Sequence, residues 1–194
     1  MSRGIIINGA SGTGKTTLAA ALANHLSFKH FDLDDYYHRK DTKIPFTEYY
    51  PREEIRARLM HDISQNPDFV MSGSIGSILW DLVNPLFDLA VLLFVPVEIR
   101  LARVHAREAE WFGARILEGG DMYENHKDFI NTIQSYENAE PPAVCLKRHE
   151  LWAAELLCPV LRLDGTKPVC ENVTQIAEQF WQSGQSAKDN GNKG

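Results

Sequence analysis

Gly9-Ala10-Ser11-Gly12-Thr13-Gly14-Lys15-Thr16 is the stretch whose reading decides the fold. It fits G-x-x-x-x-G-K-[ST], a loop whose backbone N–H groups cradle phosphate oxygens. Upstream, Ile5, Ile6 and Ile7 form a short β-branched run that predicts a buried strand. Downstream, residues 17–26 are Ala- and Leu-rich without Gly or Pro, which predicts a helix. Strand, glycine turn and helix N-terminus together make a nest of N–H groups aimed at an anion and reinforced by the helix dipole. Glycine lets the backbone close on phosphate oxygens where a side chain would collide. The motif assigns Lys15 to the β- and γ-phosphates and the Thr16 hydroxyl to Mg²⁺, with Gly9, Ser11, Gly12, Thr13, Gly14 and Thr17 completing the cradle. ATP and Mg²⁺ are the expected ligands.

The chain of 194 residues suits one α/β domain with a sizeable core. Its 26 acidic and 20 basic residues leave a net charge of -6, which argues against nucleic acid, a partner that calls for a basic surface. No apolar run approaches membrane length and the N-terminus lacks a charged-then-apolar signal pattern, so no membrane is expected and the cytoplasm is the expected location. Cys145, Cys158 and Cys170 are widely spaced without a C-x-x-C and read as reduced thiols. The histidines show no paired ligand spacing, so a structural metal is not expected. The expected assembly is a monomer or homodimer.

Working outward, strand and helix patterns alternate. A second strand is expected over 28–34, ending in acids, then an ordered aromatic loop over 36–51. Ile55, Leu59 and Ile63, at intervals of four, predict an amphipathic helix over 52–63. A third strand over 69–71 runs into the small-residue loop 72–76, and a helix from Ile78 cannot pass far beyond Pro85. Residues 89–95 are apolar throughout, as a parallel strand covered on both faces should be. Helices are expected over 97–107, 127–139, 143–157 and 169–181, and a last strand over 159–163. The fold class is therefore α/β, a three-layer doubly wound parallel sheet with the P-loop after its first strand. A single domain is expected over 1–182, with a small lid near 107–126 and a flexible tail over 183–194. Ligands in such sheets sit at the carboxyl ends of strands, where the loop, the strand-two acids and the 72–76 loop should converge.

A site for phosphoryl transfer also needs a metal-supporting acid and a group to take the acceptor's proton. The acids placed for both are Asp32, Asp34 and Asp35. Asp32 is the expected metal support and Asp34 the expected base, with Asp32 and Asp35 as the alternatives for the base. Arg100, Arg103 and Arg107, at intervals of three and four, share one helix face. Guanidinium groups suit phosphate, and positive charge is needed on the transferring oxygens. Arg103 and Arg107 are expected there, Arg115 is expected to swing in on closure, and Arg100 is expected on a solvated helix face. Tyr37, Ser72, Gly73 and Ser74, with Asp34, are expected to hold the acceptor. The four tryptophans read as packing residues, and His38, His126 and His149 as lying outside the chemistry.

Several stretches carry a family resemblance. The loop, a strand-two acid, the pattern Val95-Pro96 followed by Arg103 and Arg107, and the closing Leu163–Val169 together resemble the nucleoside and nucleotide kinase group of P-loop proteins. The last two are similar to adenylate kinases. That resemblance implies that Arg103 packs on the adenine, that Arg107 reaches the phosphates from a lid, and that Gly165, Thr166, Lys167 and Pro168 line the adenine pocket. Asp34-Asp35-Tyr36-Tyr37 resembles the acid-aromatic segment of uridine-kinase-like and ribosylnicotinamide-kinase-like enzymes, whose first acid is the base. Asp32-Leu33-Asp34, with a small-residue loop after strand three, is similar to shikimate kinase. The departure from adenylate kinase lies over 36–68, where no nucleoside-monophosphate site can be matched. The expected activity is transfer of the γ-phosphate of ATP to a hydroxyl of a nucleoside or other small metabolite. A nucleoside monophosphate kinase and an ATP-binding regulatory protein with slow hydrolysis are the alternatives.

Overall fold

The computed structural model describes residues 3–191. The Ile-rich run forms β1 (Arg3–Gly9), buried at every position after Arg3. Then follow α1 (Lys15–Leu26), β2 (Lys29–Asp32), a helical turn α2 (Asp34–Tyr37), α3 (Arg52–Gln65) and β3 (Asp68–Ser72). The short α4 (Trp80–Val83) leads through a 3₁₀ turn to β4 (Phe87–Phe94) and α5 (Val97–Phe112). A second 3₁₀ turn (Gly113–Ile116), α6 (Tyr123–Ser135), α7 (Leu146–Ala154), β5 (Val160–Asp164) and α8 (Val169–Gly191) complete the chain. The sheet has the order β2-β3-β1-β4-β5 and every pairing is parallel.

Alternation along the strands splits the core into two layers, because successive side chains point to opposite faces. Ile5, Ile7, Val70, Leu89, Val91 and Leu93 face α1 and α8, meeting Leu18, Leu22, Ile176 and Phe180. Ile6, Phe31, Met71, Ala90 and Leu92 face the other way, meeting Ile55 and Leu59 of α3 and Trp152 of α7. Burying each large aliphatic side chain stabilises the fold by about 1.5–3 kcal/mol. The runs of apolar residues in β1 and β4 follow from this double coverage.

Several boundaries differ from the sequence expectation. β2 stops at Asp32 rather than running to residue 34. The chain turns there because the amides of Tyr36 and Tyr37 both donate to Leu33 O at 3.0 Å, while Leu33 N–H still bonds Ser72 O of β3 at 2.9 Å. Asp34 and Asp35 thus open a helical turn, an end that favours acids. α5 runs on to Phe112 and stops only at Gly113, which has a positive φ of 54°. α6 begins earlier, at Tyr123, and α7 is shorter than expected, starting after Cys145, whose sulfur accepts the Arg148 N–H. α8 continues to Gly191, past the expected end at Trp181. Residues 192–194 of the expected tail lie outside the described residues. Trp152 is buried as expected, whereas Trp111 and Trp181 are about half exposed.

Candidate active site

The loop after β1 is shaped by its glycines. Gly12 has φ 81°, and a Cβ there would lie 2.6 Å from the carbonyl oxygen of Arg100. Gly14 has φ 91° and caps α1, so the first turn of that helix presents its N–H groups to the loop's concavity. The Lys15 ammonium donates to Ala10 O at 2.8 Å, curling back over the loop. Desolvation pushes its pKa down to about 8, against the opposing pull of Asp34 and Asp32. A lysine so placed gains from an anion that restores the lost solvation.

Asp32, at the end of β2, meets the loop. Its Oδ2 accepts from the Thr16 hydroxyl at 2.9 Å and its Oδ1 from Asp34 N–H at 3.1 Å. Asp35 points elsewhere and pairs with Lys40 at 2.7 Å. The Asp34 carboxylate makes no side-chain hydrogen bond among the described residues and is open to solvent. The protein mass around it and the neighbouring Asp32 charge raise its pKa, opposed by Lys15, His38 and Arg107. Asp34, Lys15 and Arg107 thus form one electrostatic cluster.

The three arginines of α5 separate. Arg103 reaches Thr13 O at 3.2 Å, Gly12 O at 3.4 Å and Gly165 O at 3.4 Å, clasping the loop to the turn after β5. Arg107 lies with its guanidinium 5.0 Å from the Trp111 ring centre, near Lys15 and Asp34. Arg100 corrects the expectation of a solvated position: it is 1% exposed, bonds Val95 O at 3.0 Å, pairs with Glu137 and lies against the Tyr136 ring. Arg115 pairs with Asp121 at 2.9 Å and reaches Lys43 O at 3.1 Å in the 38–50 segment. Gly165 sits at a tight turn where Asp164 Oδ1 accepts from Thr166 N–H at 2.8 Å, and Lys167 is exposed. A cavity of about 590 Å³ opens beside the loop, lined by Thr13, Val95, Arg100, Tyr136, Asp164 and Thr166.

The loop after β3 leaves the sheet where Ser72 sits between Ile7 of β1 and Asp32 of β2. Gly73 (φ 125°) donates its N–H to Ile7 O at 3.2 Å. Gly76 N–H donates to the Tyr37 hydroxyl at 2.9 Å, and burial pushes that phenol up to about 12. Ser72 is fully buried, with Oγ 2.9 Å from His30 Nε2. Ser74 Oγ instead lies 3.1 Å from Nε2 of His149, whose Nδ1 is 2.7 Å from the Tyr136 hydroxyl. His149 is 4% exposed, and desolvation, then the charges of Lys15 and Arg148, push it down to about 3. An unpaired buried hydroxyl or ring N–H costs about 1–3 kcal/mol, so this chain of contacts is a constraint. Sequence reading missed His149, Tyr136 and Arg148: no spacing rule connects Ser74 with a residue 75 positions away.

The sequence model of the shikimate kinase family matches residues 11–141. The uncharacterized protein YqaC of Bacillus subtilis (strain 168) is 36% identical over 183 residues, covering 92% of this chain and 97% of that one. Among solved structures, shikimate kinase from Acinetobacter baumannii in complex with shikimate superposes with a TM-score of 0.55 at 17% identity, covering 93% of each chain. The deoxyadenosine kinase of M. mycoides superposes with a TM-score of 0.52 at 15% identity, covering 92% of this chain and 99% of that one. At such identities the two structures show a shared fold.

Proposed function

This chain belongs to the shikimate kinase family, and from that premise we propose that it binds Mg²⁺-ATP at the 9–17 loop and uses Asp34 to deprotonate the acceptor. It is a P-loop kinase that transfers a phosphoryl group from ATP to a hydroxyl of a small molecule. The observation that carries the assignment of Asp34 is the division of labour among three acids. Asp32 is held by Thr16 and a backbone N–H, Asp35 by Lys40, and Asp34 keeps its carboxylate free beside Lys15 and Arg107.

The residues present fit a magnesium ion. Thr16 and Asp32 offer hard oxygen donors 2.9 Å apart, and Mg²⁺ is usually held by one or two protein oxygens together with substrate phosphates. When bound, the ion neutralises charge on the phosphate oxygens. Lys15 supplies a desolvated positive charge to the β- and γ-phosphates, and Arg107 adds charge from the lid side. Arg103 keeps the loop and the 165–168 turn in fixed relation, which would hold the nucleotide between them. The acceptor oxygen attacks the γ-phosphorus, the bond to the β–γ bridging oxygen breaks, ADP leaves, and the acceptor's proton passes to Asp34. The free cysteines and the cytosolic supply of ATP favour the cytoplasm. No helix of the described residues is long and apolar enough to cross a membrane.

The test is ADP release from Mg²⁺-ATP across a panel of cyclic hydroxy acids, sugars, sugar acids, nucleosides and nucleoside monophosphates. The expected result is one class of hydroxyl compound raising turnover far above the ATP-only rate. Hydrolysis unchanged by every member, with ATP binding shown separately, would overturn the kinase reading.

A further inference from the structure

Three elements distant in sequence meet at one buried imidazole: the loop after β3 through Ser74, the end of α6 through Tyr136, and α7 through His149. His149 lies beyond the 11–141 stretch that the family model covers. Burial at 4% exposure keeps it neutral, reinforced by the positive charges of Lys15 and Arg148. A neutral imidazole carries one N–H, so the two contacts have a direction.

Two arrangements are possible. In one, Nδ1–H donates to Tyr136, Nε2 accepts from Ser74, and the Tyr136 proton is left without an acceptor in a site only 7% exposed. In the other, Tyr136 O–H donates to Nδ1, Nε2–H donates to Ser74 Oγ, and the Ser74 hydroxyl proton turns outward. The second leaves no buried proton unpaired, and buried polar groups are rarely left so. Burial also holds the Tyr136 phenol in its protonated form, able to donate. Ser74 is half-buried, so its outward proton is left for a partner outside this chain of contacts.

We infer that His149 is a positioning residue which, oriented by Tyr136, holds the Ser74 hydroxyl with its proton turned away from α7, so that Ser74 donates that proton to an oxygen of the acceptor. This rests on the kinase reading for the word acceptor, but the tautomer does not. α7 is a firm platform for such a device: Trp152, three residues beyond His149, is 2% exposed and donates its indole N–H to Asn84 Oδ1 at 3.1 Å.

The decisive measurement is long-range ¹H–¹⁵N NMR of the full chain labelled at histidine, with His149 assigned by His149→Gln. We expect the Nε2–H tautomer, unchanged from pH 8 to pH 5, and a shift towards mixed tautomers in Tyr136→Phe. An Nδ1–H tautomer, or protonation of His149 near pH 6, overturns the inference. The ADP-release panel supplies a second arm. Ser74→Ala and His149→Phe should raise KM for the active acceptor about tenfold with kcat changed less, and His149→Gln, which keeps a donor near Nε2, should recover most of that loss. A Gln variant as impaired as Phe overturns it. A panel in which no compound is turned over speaks against the kinase reading, and the NMR result still judges the tautomer.

Discussion

As the proposed base, Asp34 is the residue whose environment bears most directly on a measurable rate. A base must be deprotonated, and the protein mass around Asp34 with the Asp32 charge raises its pKa although its carboxylate is open to solvent. Activity should therefore fall on acidification at a pH above that of an ordinary aspartate, visible as the acid limb of kcat/KM against pH. Asp34→Asn should lower kcat by about 10²–10⁴-fold and leave ATP affinity intact, as checked by nucleotide titration beside steady-state kinetics. His149 makes a separate prediction about stability. Its folded pKa is pushed down to about 3, whereas in the unfolded chain it has the ordinary value of about 6.5. Between those values the unfolded state binds the extra proton, so the stabilisation is complete above about pH 6.5 and is lost progressively as pH falls towards 3. The slope contributed is at most about 1.4 kcal/mol per pH unit. Urea midpoints between pH 4 and pH 8 should fall more steeply with acid for the wild type than for His149→Gln; parallel curves would exclude this role.

At the scale of elements, the loop–helix unit shows how local signals became geometry. The glycines, the lysine and the helix behind them were legible in sequence, because each role depends on neighbours within one turn. What seats the loop comes from elsewhere: Arg103 bonds its carbonyls, and the backbone of Arg100 leaves no room for a side chain at Gly12. Gly12→Ala should therefore abolish nucleotide binding even though the change is one methyl group, with dissociation of a fluorescent ATP analogue as the measure. Arg100 itself ties α5 to α6 through Glu137 and Tyr136. Its three-and-four spacing puts it on one helix face with Arg103 and Arg107, and the expectation for Arg100 alone is a solvated position, but the residue lies under the helix. Periodicity places a side chain on a helix and does not say what packs against that side. The strand-two acids show the same division. Their place near the site was readable, yet the split between Asp32 on the strand and Asp34 on a helical turn arose from Leu33 O capturing two amides.

At the scale of the whole molecule, the sheet separates two apolar layers that share strands but no side chains. Leu22 belongs to the layer under α1 and α8, and Leu59 to the layer under α3 and α7. Each changed to Ala should cost about 2–5 kcal/mol, by lost transfer energy and the cavity left behind. The double variant should equal the sum to within about 0.5 kcal/mol, since the sites lie on opposite faces of the sheet. Coupling well beyond that, measured by denaturant unfolding, would mean that the sheet transmits strain between its faces. The sequence by itself determined the sheet, its double coverage, the phosphate loop and the acids beside it, because all of these rest on local composition and short-range period. Tertiary structure alone decided which acid stayed free, which arginine was buried, and that His149 would meet Ser74 and Tyr136. Those outcomes depend on parallel crossovers that bring residues from β3, α6 and α7 to one end of the sheet, and no pattern within a single segment encodes that meeting.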